Sequence, residues 1–276
     1  MAVWQPQVLD PAIQYGHVLV HYRQHFLCTA EGLLFSSDRF RQIELPLVCK
    51  QGLGYFNGVP VHLYELAGKV EIPGTAWYGL RQLMVGEHDP ELLSMLRFAT
   101  QIGTWAIQNR FCGSCGTPMT PLAGERAMCC VACQVRHYPR LSPSMIVLVT
   151  RGDEILLARS PRHASGVYST LAGFVEPGES VEQCVAREVL EEVGVTIDQP
   201  HYIASQNWPF PYSLMLGFHA RYTAGEIVPQ PTEIDDAQWF SIQRLPGLPG
   251  VHSIARYLID LYVAERLGRE PPRLPV

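Results

Sequence analysis

The segment from Gly173 to Gly194 restricts the possible folds more than any other part of this sequence. It reads Gly173, five residues, Glu179, seven residues, then Arg187-Glu188-Val189-Leu190-Glu191-Glu192-Val193-Gly194. We predict a helix over residues 179–193, because Gly194 can take the left-handed conformation that ends a helix. Arg187 is placed to pair back to Glu179 and so to hold the preceding loop against this helix.

Three carboxylates of this helix are predicted to converge. At about 100° per residue, Glu188, Glu191 and Glu192 fall within one narrow arc. Like charges so placed repel one another unless a cation lies between them. Oxygen ligands select a hard ion, so the pattern predicts a Mg²⁺ or Mn²⁺ site. The alternative is a solvated acidic helix face, which is the usual explanation of an isolated charge cluster.

Two cysteine pairs form a second motif. Cys112 and Cys115 are one CxxC pair, Cys130 and Cys133 are another, and fourteen residues separate the pairs. This spacing is typical of a tetrahedral Zn²⁺ site with four thiolates, which stabilises a fold and leaves no position open for catalysis. Cys129 leaves a question of register, although only Cys130 makes a symmetric pair with Cys133. A redox dithiol is the alternative.

The pattern of apolar, glycine and proline residues predicts three domains. Residues 1–110 read as a β-rich domain that ends in a helix from Asp89 to Arg110, residues 111–141 as a zinc ribbon, and residues 142–276 as an α/β sandwich. In the last domain we predict strands at 145–149, 155–158, 214–222 and 238–241, and a closing helix at 253–267. The turn Arg151-Gly152-Asp153 predicts a hairpin between the first two of these strands.

Composition excludes some classes of protein. A formal net charge of −5 and a pI near 6.1 argue against a general polyanion binder. A local basic set could still meet phosphate, with a scattered solvated surface as the alternative: Arg136, His137, Arg140, Arg159, Arg162 and His163. The sequence shows no signal peptide and no apolar stretch of membrane-spanning length, and five of its eight cysteines lie between residues 112 and 133, around the CxxC pairs. We therefore expect a cytoplasmic protein without membrane partners.

The segment Gly173–Val195, with Leu171-Ala172 before it, resembles the Nudix box of pyrophosphohydrolases. A proline-stiffened loop with aromatic and amide side chains follows it, Ser205-Gln206-Asn207-Trp208-Pro209-Phe210-Pro211-Tyr212-Ser213. The order of zinc ribbon, Nudix box and this loop is similar to that of the NADH pyrophosphatase family. Asn207 stands where that family usually has proline. The resemblance extends from about residue 110 to about residue 260.

The resemblance implies a Nudix α/β/α sandwich with a zinc ribbon and a small β-rich N-terminal domain. It implies that Glu188, Glu191, Glu192 and Glu233, with the carbonyl of Ala172, bind divalent metals. It further implies that the substrate lies among these residues: Phe174, Gln206, Trp208, Pro209, Phe210, Ser213, Tyr138 and Ala255, with Glu125 and Arg81 as additional contacts. For Tyr138, an aromatic packed beside Pro139 is the alternative.

The activity implied is metal-dependent hydrolysis of NAD(H) to nicotinamide mononucleotide and AMP, together with removal of 5′ NAD caps from RNA, by a homodimer. Either Glu192 or Glu233 could orient or deprotonate the attacking water. Two alternatives remain at this point. One is a hydrolase of broader dinucleotide or ADP-ribose specificity, and the other is an inactive module that binds nucleotides or RNA.

Overall fold

The computed structural model describes residues 2–10, 12–86, 89–161 and 166–275. The chain divides into two compact units. The first comprises Met1–Arg140 with Pro209–Tyr212, and the second comprises Leu141–Trp208 with Ser213–Val276. Among the helices of the described residues, none combines the length and apolar character needed to span a lipid bilayer.

A seven-stranded sheet forms the centre of the first unit. Its strands are β1 (Trp4–Pro6), β2 (His17–Tyr22), β3 (His25–Cys28), β4 (Phe35–Ser36), β5 (Leu47–Phe56), β6 (Val59–Leu66) and β7 (Ala76–Gly79). They lie in the order β1-β5-β6-β2-β3-β7, with β4 paired to β2. β5 and β6 form a hairpin whose turn residues, Asn57 and Gly58, have φ of 52° and 78°. Asn-Gly favours such turns. The seven strands confirm the predicted β-rich start of the chain.

Two helices complete this part of the first unit. Helix α1 spans Leu80–Gly86 and helix α2 spans Pro90–Gln108. The Asp89 side chain caps α2 by accepting hydrogen bonds from the N–H groups of Glu91 and Leu92, at 3.0 and 3.5 Å. A capping Asp followed by Pro at the first helical position was the predicted start signal, and the helix begins there.

A small three-stranded antiparallel sheet follows α2. It consists of β8 (Met119–Pro121), β9 (Met128–Cys130) and β10 (Arg136–His137). Arg126, between β8 and β9, donates hydrogen bonds to the carbonyl oxygens of Gln7, Gly52 and Leu53 at 2.9, 2.9 and 3.2 Å. Its guanidinium carbon also lies 4.9 Å from the ring centre of Phe98 on α2. One arginine therefore attaches the small sheet to the large one.

The second unit has its own seven-stranded sheet. The strands are β11 (Ser142–Arg151), β12 (Glu154–Arg159), β13 (Leu171–Phe174), β14 (Thr196–Ile197), β15 (His201–Trp208), β16 (Ser213–Ala224) and β17 (Asp236–Ser241). The order is β14-β16-β11-β12-β17, with β13 paired to β11 and β15 to β16. β11 pairs parallel to β16 and antiparallel to β12, so the predicted hairpin is present.

Two helices cover opposite faces of this sheet. Helix α3 spans Val181–Val193 and helix α4 spans Ile254–Leu267. Val147 of β11 belongs to the apolar cluster that contains Val189 of α3. The next residue, Leu148, belongs to the cluster that contains Leu258 of α4. Because successive side chains of a strand point to opposite faces, β11 separates two cores, and the predicted α/β sandwich is confirmed.

The predicted helix boundaries differ slightly from those observed. Helix α3 begins at Val181 rather than Glu179, because the Ser180 side chain accepts a hydrogen bond from the N–H of Gln183 while the Gln183 side chain accepts one from the N–H of Ser180. This capping box leaves Glu179 in the loop. Ser253 likewise caps α4, which begins one residue later than predicted.

We expect Arg126→Ala to lower the free energy of unfolding by about 2–3 kcal/mol, since it leaves the partly buried carbonyl oxygens of Gly52 and Leu53, and the exposed one of Gln7, without their charged donor. Denaturant unfolding measured by circular dichroism would test this. Arg41→Ala is the control, because Arg41 forms only an exposed ion pair with Asp38 and should change stability by no more than about 0.5 kcal/mol. Equal effects of the two substitutions would contradict the role assigned to Arg126.

Candidate active site

Glycines at both ends of the loop and helix set the position of the acidic side chains. A Cβ atom at Gly173 would lie 1.9 Å from the carboxyl carbon of Glu188, so only glycine allows β13 and α3 to approach this closely. Gly194 has a φ of 73° and ends α3 in the left-handed conformation, as predicted. The sequence spacing therefore reflects direct packing of β13 against the acidic face of α3.

Arg187 holds the loop and three glutamates together. Its Nε donates to Glu179 at 2.5 Å and its Nη2 donates to the second Glu179 oxygen at 3.0 Å, which confirms the predicted pair. Because Arg187 donates these hydrogen bonds, the pKa of Glu179 falls to about 2. Arg187 Nη1 lies 2.9 Å from both Glu188 and Glu191, two contacts that the sequence did not predict.

Glu192 is the most deeply buried carboxylate of this helix, with 6% of its surface exposed. Burial raises its pKa to about 8, and the charges of Glu188 and Glu233 act in the same direction. The N–H of Ala172 donates a hydrogen bond to this carboxylate. Its Oε2 has no hydrogen-bond partner within the described part of the chain. Glu192 is thus a buried carboxyl group whose surroundings favour a bound proton or cation over the free carboxylate.

Glu233 reaches this region from the loop between β16 and β17. That loop is tied to the end of α3, because the N–H of Gln230 donates to the carbonyl of Glu192 and the N–H of Val228 donates to the carbonyl of Val193, both at 2.9 Å. The charge of Glu233 helps to raise the pKa of both Glu188 and Glu192, and burial is the main cause of the raised pKa of each. No local spacing in the sequence indicates that Glu233 lies beside Glu188 and Glu192.

A cavity of about 240 Å³ lies beside these carboxylates. Its lining combines acidic, hydroxyl and apolar residues: Ala158, Ser160, Ser169, Thr170, Leu171, Ala172, Glu192, Glu233 and Ile234. The hydroxyl residues were missed by sequence reasoning, because single Ser and Thr residues carry no motif. The cavity brings Glu192, Glu233 and the backbone of Ala172 to one place.

The residues expected to contact substrate fall into two groups. Five lie in the second unit: Phe174, Gln206, Trp208, Ser213 and Ala255. The Phe174 side chain is 57% exposed at the end of β13. Gln206 is buried, donates to the carbonyls of His252 and Pro275, and accepts from the N–H of Ile254. Its side chain therefore joins β15 to the start of α4, next to Ala255.

The other five lie in the first unit: Arg81, Glu125, Tyr138, Pro209 and Phe210. The Tyr138 hydroxyl donates to Glu125 at 2.7 Å, and the Tyr138 side chain is 55% exposed. This is not the packed aromatic of the alternative interpretation. The guanidinium carbon of Arg81 lies 4.0 Å from the ring centre of Phe210.

The predicted basic set is dispersed among different partners. Arg136 pairs with Glu125 at 3.2 Å and Arg159 lies 4.0 Å from Asp235. Arg140 lies over the ring of Tyr212. Arg162 and His163 lie outside the described residues. Since carboxylates face Arg136 and Arg159, these two arginines do not form an uncompensated positive patch.

The four predicted zinc ligands come together. One sulfur from each of Cys112, Cys115, Cys130 and Cys133 lies within 4.8 Å of the others, a separation that fits a tetrahedral Zn²⁺ with Zn–S bonds of about 2.3 Å. Among the described residues, this is the only set of three or more ligand atoms so close together. The Sγ of Cys129 donates to the carbonyl of Cys130, at 3.8 Å, and is not part of this set. The second pair is therefore Cys130 and Cys133.

Comparison with known families divides the chain into three segments. Residues 15–105 match the NADH pyrophosphatase-like rudimentary NUDIX domain. Residues 107–138 match the NADH pyrophosphatase zinc ribbon domain, and residues 140–262 match the NUDIX domain. The cysteine cluster and the acidic helix lie within the second and third segments respectively.

Similar proteins extend over almost the whole chain. A protein of Stutzerimonas stutzeri (strain A1501) named NAD-capped RNA hydrolase NudC is 66% identical, over 99% of this chain and 98% of its own length. The protein of the same name from Pseudomonas putida KT2440 is 57% identical, over 99% of both chains. A solved Nudix hydrolase from Nitrosomonas europaea, 22% identical, has a TM-score of 0.52 over 60% of this chain and 97% of its own, which supports the fold. The chain therefore belongs to the NADH pyrophosphatase family of Nudix hydrolases.

Proposed function

We propose that this protein hydrolyses the pyrophosphate bond of NAD(H) to give nicotinamide mononucleotide and AMP, and that it removes 5′ NAD caps from RNA by cutting the same bond. Relatives named NAD-capped RNA hydrolase support the substrate. The observation that carries the chemistry is the buried Glu192, whose Oε2 is unsatisfied within the described residues and lies among like charges beside a cavity. A buried carboxylate without a partner lowers the stability of a fold, and carboxylates perturbed in this way are typical of functional sites.

A divalent cation fits these residues. Glu188, Glu191, Glu192 and Glu233, with the carbonyl of Ala172, would supply only oxygen ligands, the set that Mg²⁺ and Mn²⁺ prefer. The mutual repulsion of Glu188, Glu192 and Glu233 is the structural sign of this fit. A cation held by these residues would supply charge neutralisation for the diphosphate and would lower the pKa of a bound water.

The chain's own residues supply the other requirements of hydrolysis. Arg187 binds Glu188 and Glu191 and so holds the carboxylates in position. Glu192 and Glu233 both line the cavity, and one of them would accept the proton of the attacking water. The exposed ring of Phe174, next to Gly173, can stack on a flat base or nicotinamide. No covalent intermediate is needed.

Recognition of the dinucleotide would use aromatic, amide and carboxylate side chains. In the second unit, Gln206, Trp208, Ser213 and Ala255 follow one another along β15, β16 and the start of α4. In the first unit, Tyr138 and Glu125 offer an exposed aromatic ring and a carboxylate, and Pro209 and Phe210 belong to the proposed set, with Arg81 against the ring of Phe210.

The organisation and location are also proposals. We propose three domains, at residues 1–110, 111–141 and 142–276, which the three family segments support. We further propose a homodimer in the cytoplasm. Zinc in the cysteine cluster would be structural, because four thiolates close its coordination sphere.

We expect Glu192→Gln to reduce kcat for NADH by about 100-fold or more, with KM nearly unchanged, because the substitution removes a charge without removing the recognition residues. Release of AMP from NADH with Mg²⁺ or Mn²⁺ measures this. Glu182→Gln is the matched control, since Glu182 lies exposed in the first turn of the same helix. Full activity of Glu192→Gln would contradict the assignment.

The same assay separates the alternative functions. Comparable kcat/KM values for ADP-ribose and NADH would indicate a broad hydrolase. Binding of NADH without any release of AMP by the wild-type protein would indicate a binding module. Competition between NADH and NAD-capped RNA would rank the two proposed substrates.

Stability should depend on pH through Glu192 when no Mg²⁺ or Mn²⁺ is added. The pKa of Glu192 in the folded protein, about 8, lies above the ordinary value of 4.5 for a glutamate. Protonated Glu192 is therefore favoured in the folded state, and its stabilising contribution, complete below about pH 4.5, is lost as pH rises through about 8. We expect the gain in melting temperature from Glu192→Gln to be larger at pH 8 than at pH 5, in zinc-loaded protein. An equal gain at both pH values would contradict this.

We expect one zinc per chain in the purified protein and a lower melting temperature for Cys115→Ser, because an incomplete thiolate set binds Zn²⁺ weakly and zinc binding is coupled to folding. Elemental analysis and thermal unfolding provide the two measurements. Cys129→Ser is the control, since Cys129 is outside the cluster. A zinc-free wild-type protein with an unchanged melting temperature would show that the site is not structural.

A further inference from the structure

A four-residue connection between β15 and β16 has an unusual position in this chain. These residues, Pro209–Tyr212, are called the hairpin tip. β15 and β16 belong to the second unit, and Trp208 pairs with Ser213 at the base of the tip. The tip itself groups with the first unit. The tip of this hairpin therefore contacts residues that are far away in the sequence.

Two arginines lie against the aromatic rings of the hairpin tip. The guanidinium carbon of Arg81 is 4.0 Å from the ring centre of Phe210, and that of Arg140 is 5.0 Å from the ring centre of Tyr212. Pro209 is buried, and Phe210 and Tyr212 are half-buried. Arginine attracts an aromatic ring through its positive charge and stacks on it through its flat guanidinium. These contacts restrict the motion of the hairpin tip.

The backbone around Arg81 is itself held in place. The N–H of Gly79 donates to the Gln82 side chain at 2.9 Å, and the N–H of Leu80 donates to the carbonyl of Gln24 at 2.8 Å. Pro211 of the hairpin tip lines a cavity of about 290 Å³ together with Gln24 and residues of β2 and α2. Arg81 thus projects from an anchored helix start onto the ring of Phe210.

We propose that Arg81 is a positioning residue, which holds Phe210 and thereby fixes the ends of β15 and β16 that carry Trp208 and Ser213 for dinucleotide binding. Arg81 thereby restricts the turn that joins these two strands. The ligand in this inference rests on the proposed function. The role differs from direct contact between Arg81 and the substrate, which the resemblance implied.

A double-mutant cycle tests the proposal. Cation–π contacts typically correspond to a factor of about 2 to 30, and we expect Arg81→Ala to raise KM for NADH about fivefold while kcat changes less than twofold. Phe210→Ala should have a similar effect, and the double variant should be no worse than the poorer single variant. Arg81→Lys should recover part of the loss, since lysine keeps the charge but not the flat guanidinium.

Two outcomes of the cycle would overturn the proposal. If Arg81→Ala multiplies KM by its full factor in the Phe210→Ala background, Arg81 acts directly on the dinucleotide. If Arg81→Ala lowers the melting temperature and leaves KM unchanged, Arg81 only stabilises the fold. Arg39→Ala is the matched control, because Arg39 lies 5.2 Å from the ring centre of Phe35 in the same unit, away from the hairpin tip in sequence. It should leave KM unchanged.

A second measurement does not depend on activity. Backbone hydrogen exchange of peptides covering residues 205–214 should be faster in Arg81→Ala than in the wild type, and unaltered in Arg39→Ala. Unchanged exchange in Arg81→Ala would overturn the proposal. If the wild-type protein does not hydrolyse NADH, the proposed function fails, whereas the exchange experiment still decides whether Arg81 holds the hairpin tip.

Discussion

The buried carboxylate of Glu192 is the constraint on which the second unit depends. A charged group at this depth is unfavourable unless a proton, a cation or hydrogen-bond donors accompany it, and Glu188 and Glu233 add repulsion. Three features of the surrounding structure accommodate these carboxylates. Glycine at position 173 lets β13 pack directly against Glu188, and the N–H of Ala172 reaches Glu192. Arg187 compensates Glu179, Glu188 and Glu191 from the other side. The Oε2 atom of Glu192 has no hydrogen-bond partner among the described residues, which supports the cation site that we propose.

In the first unit, arginines connect segments that are far apart in the sequence. Arg126 satisfies three carbonyl oxygens and thereby attaches the zinc-ribbon sheet to the large sheet. Arg81 and Arg140 lie against the two aromatic rings of the hairpin tip. The guanidinium group suits both uses, since it donates in several directions and also stacks on flat rings. The cysteine cluster is therefore one of several links that hold this β-rich unit together.

Much of the site could be predicted because its signals are local. Helix α3 follows from the spacing of its glutamates and from Gly194, and its start is shifted only by the capping pair of Ser180 and Gln183. The four cysteines come together as their spacing predicted. Other features depend on residues far apart in the sequence. Glu233 reaches Glu192 only because a loop is hydrogen-bonded to the end of α3. The hydrogen bonds of the Gln206 side chain with His252, Ile254 and Pro275 likewise could not be predicted from neighbouring residues in the sequence.

The sequence by itself determined the chemistry available to this protein: an acidic helix with oxygen ligands, a four-thiolate zinc site and an aromatic, proline-stiffened loop. These depend on helix periodicity, capping and ligand spacing, which act over a few residues. Only the tertiary structure decided which carboxylate is buried, which glutamates share Arg187, and that the tip of the β15–β16 hairpin groups with the first unit. Burial and pairing are set by the packing of distant segments, and packing is a property of the folded chain that no short stretch of sequence contains.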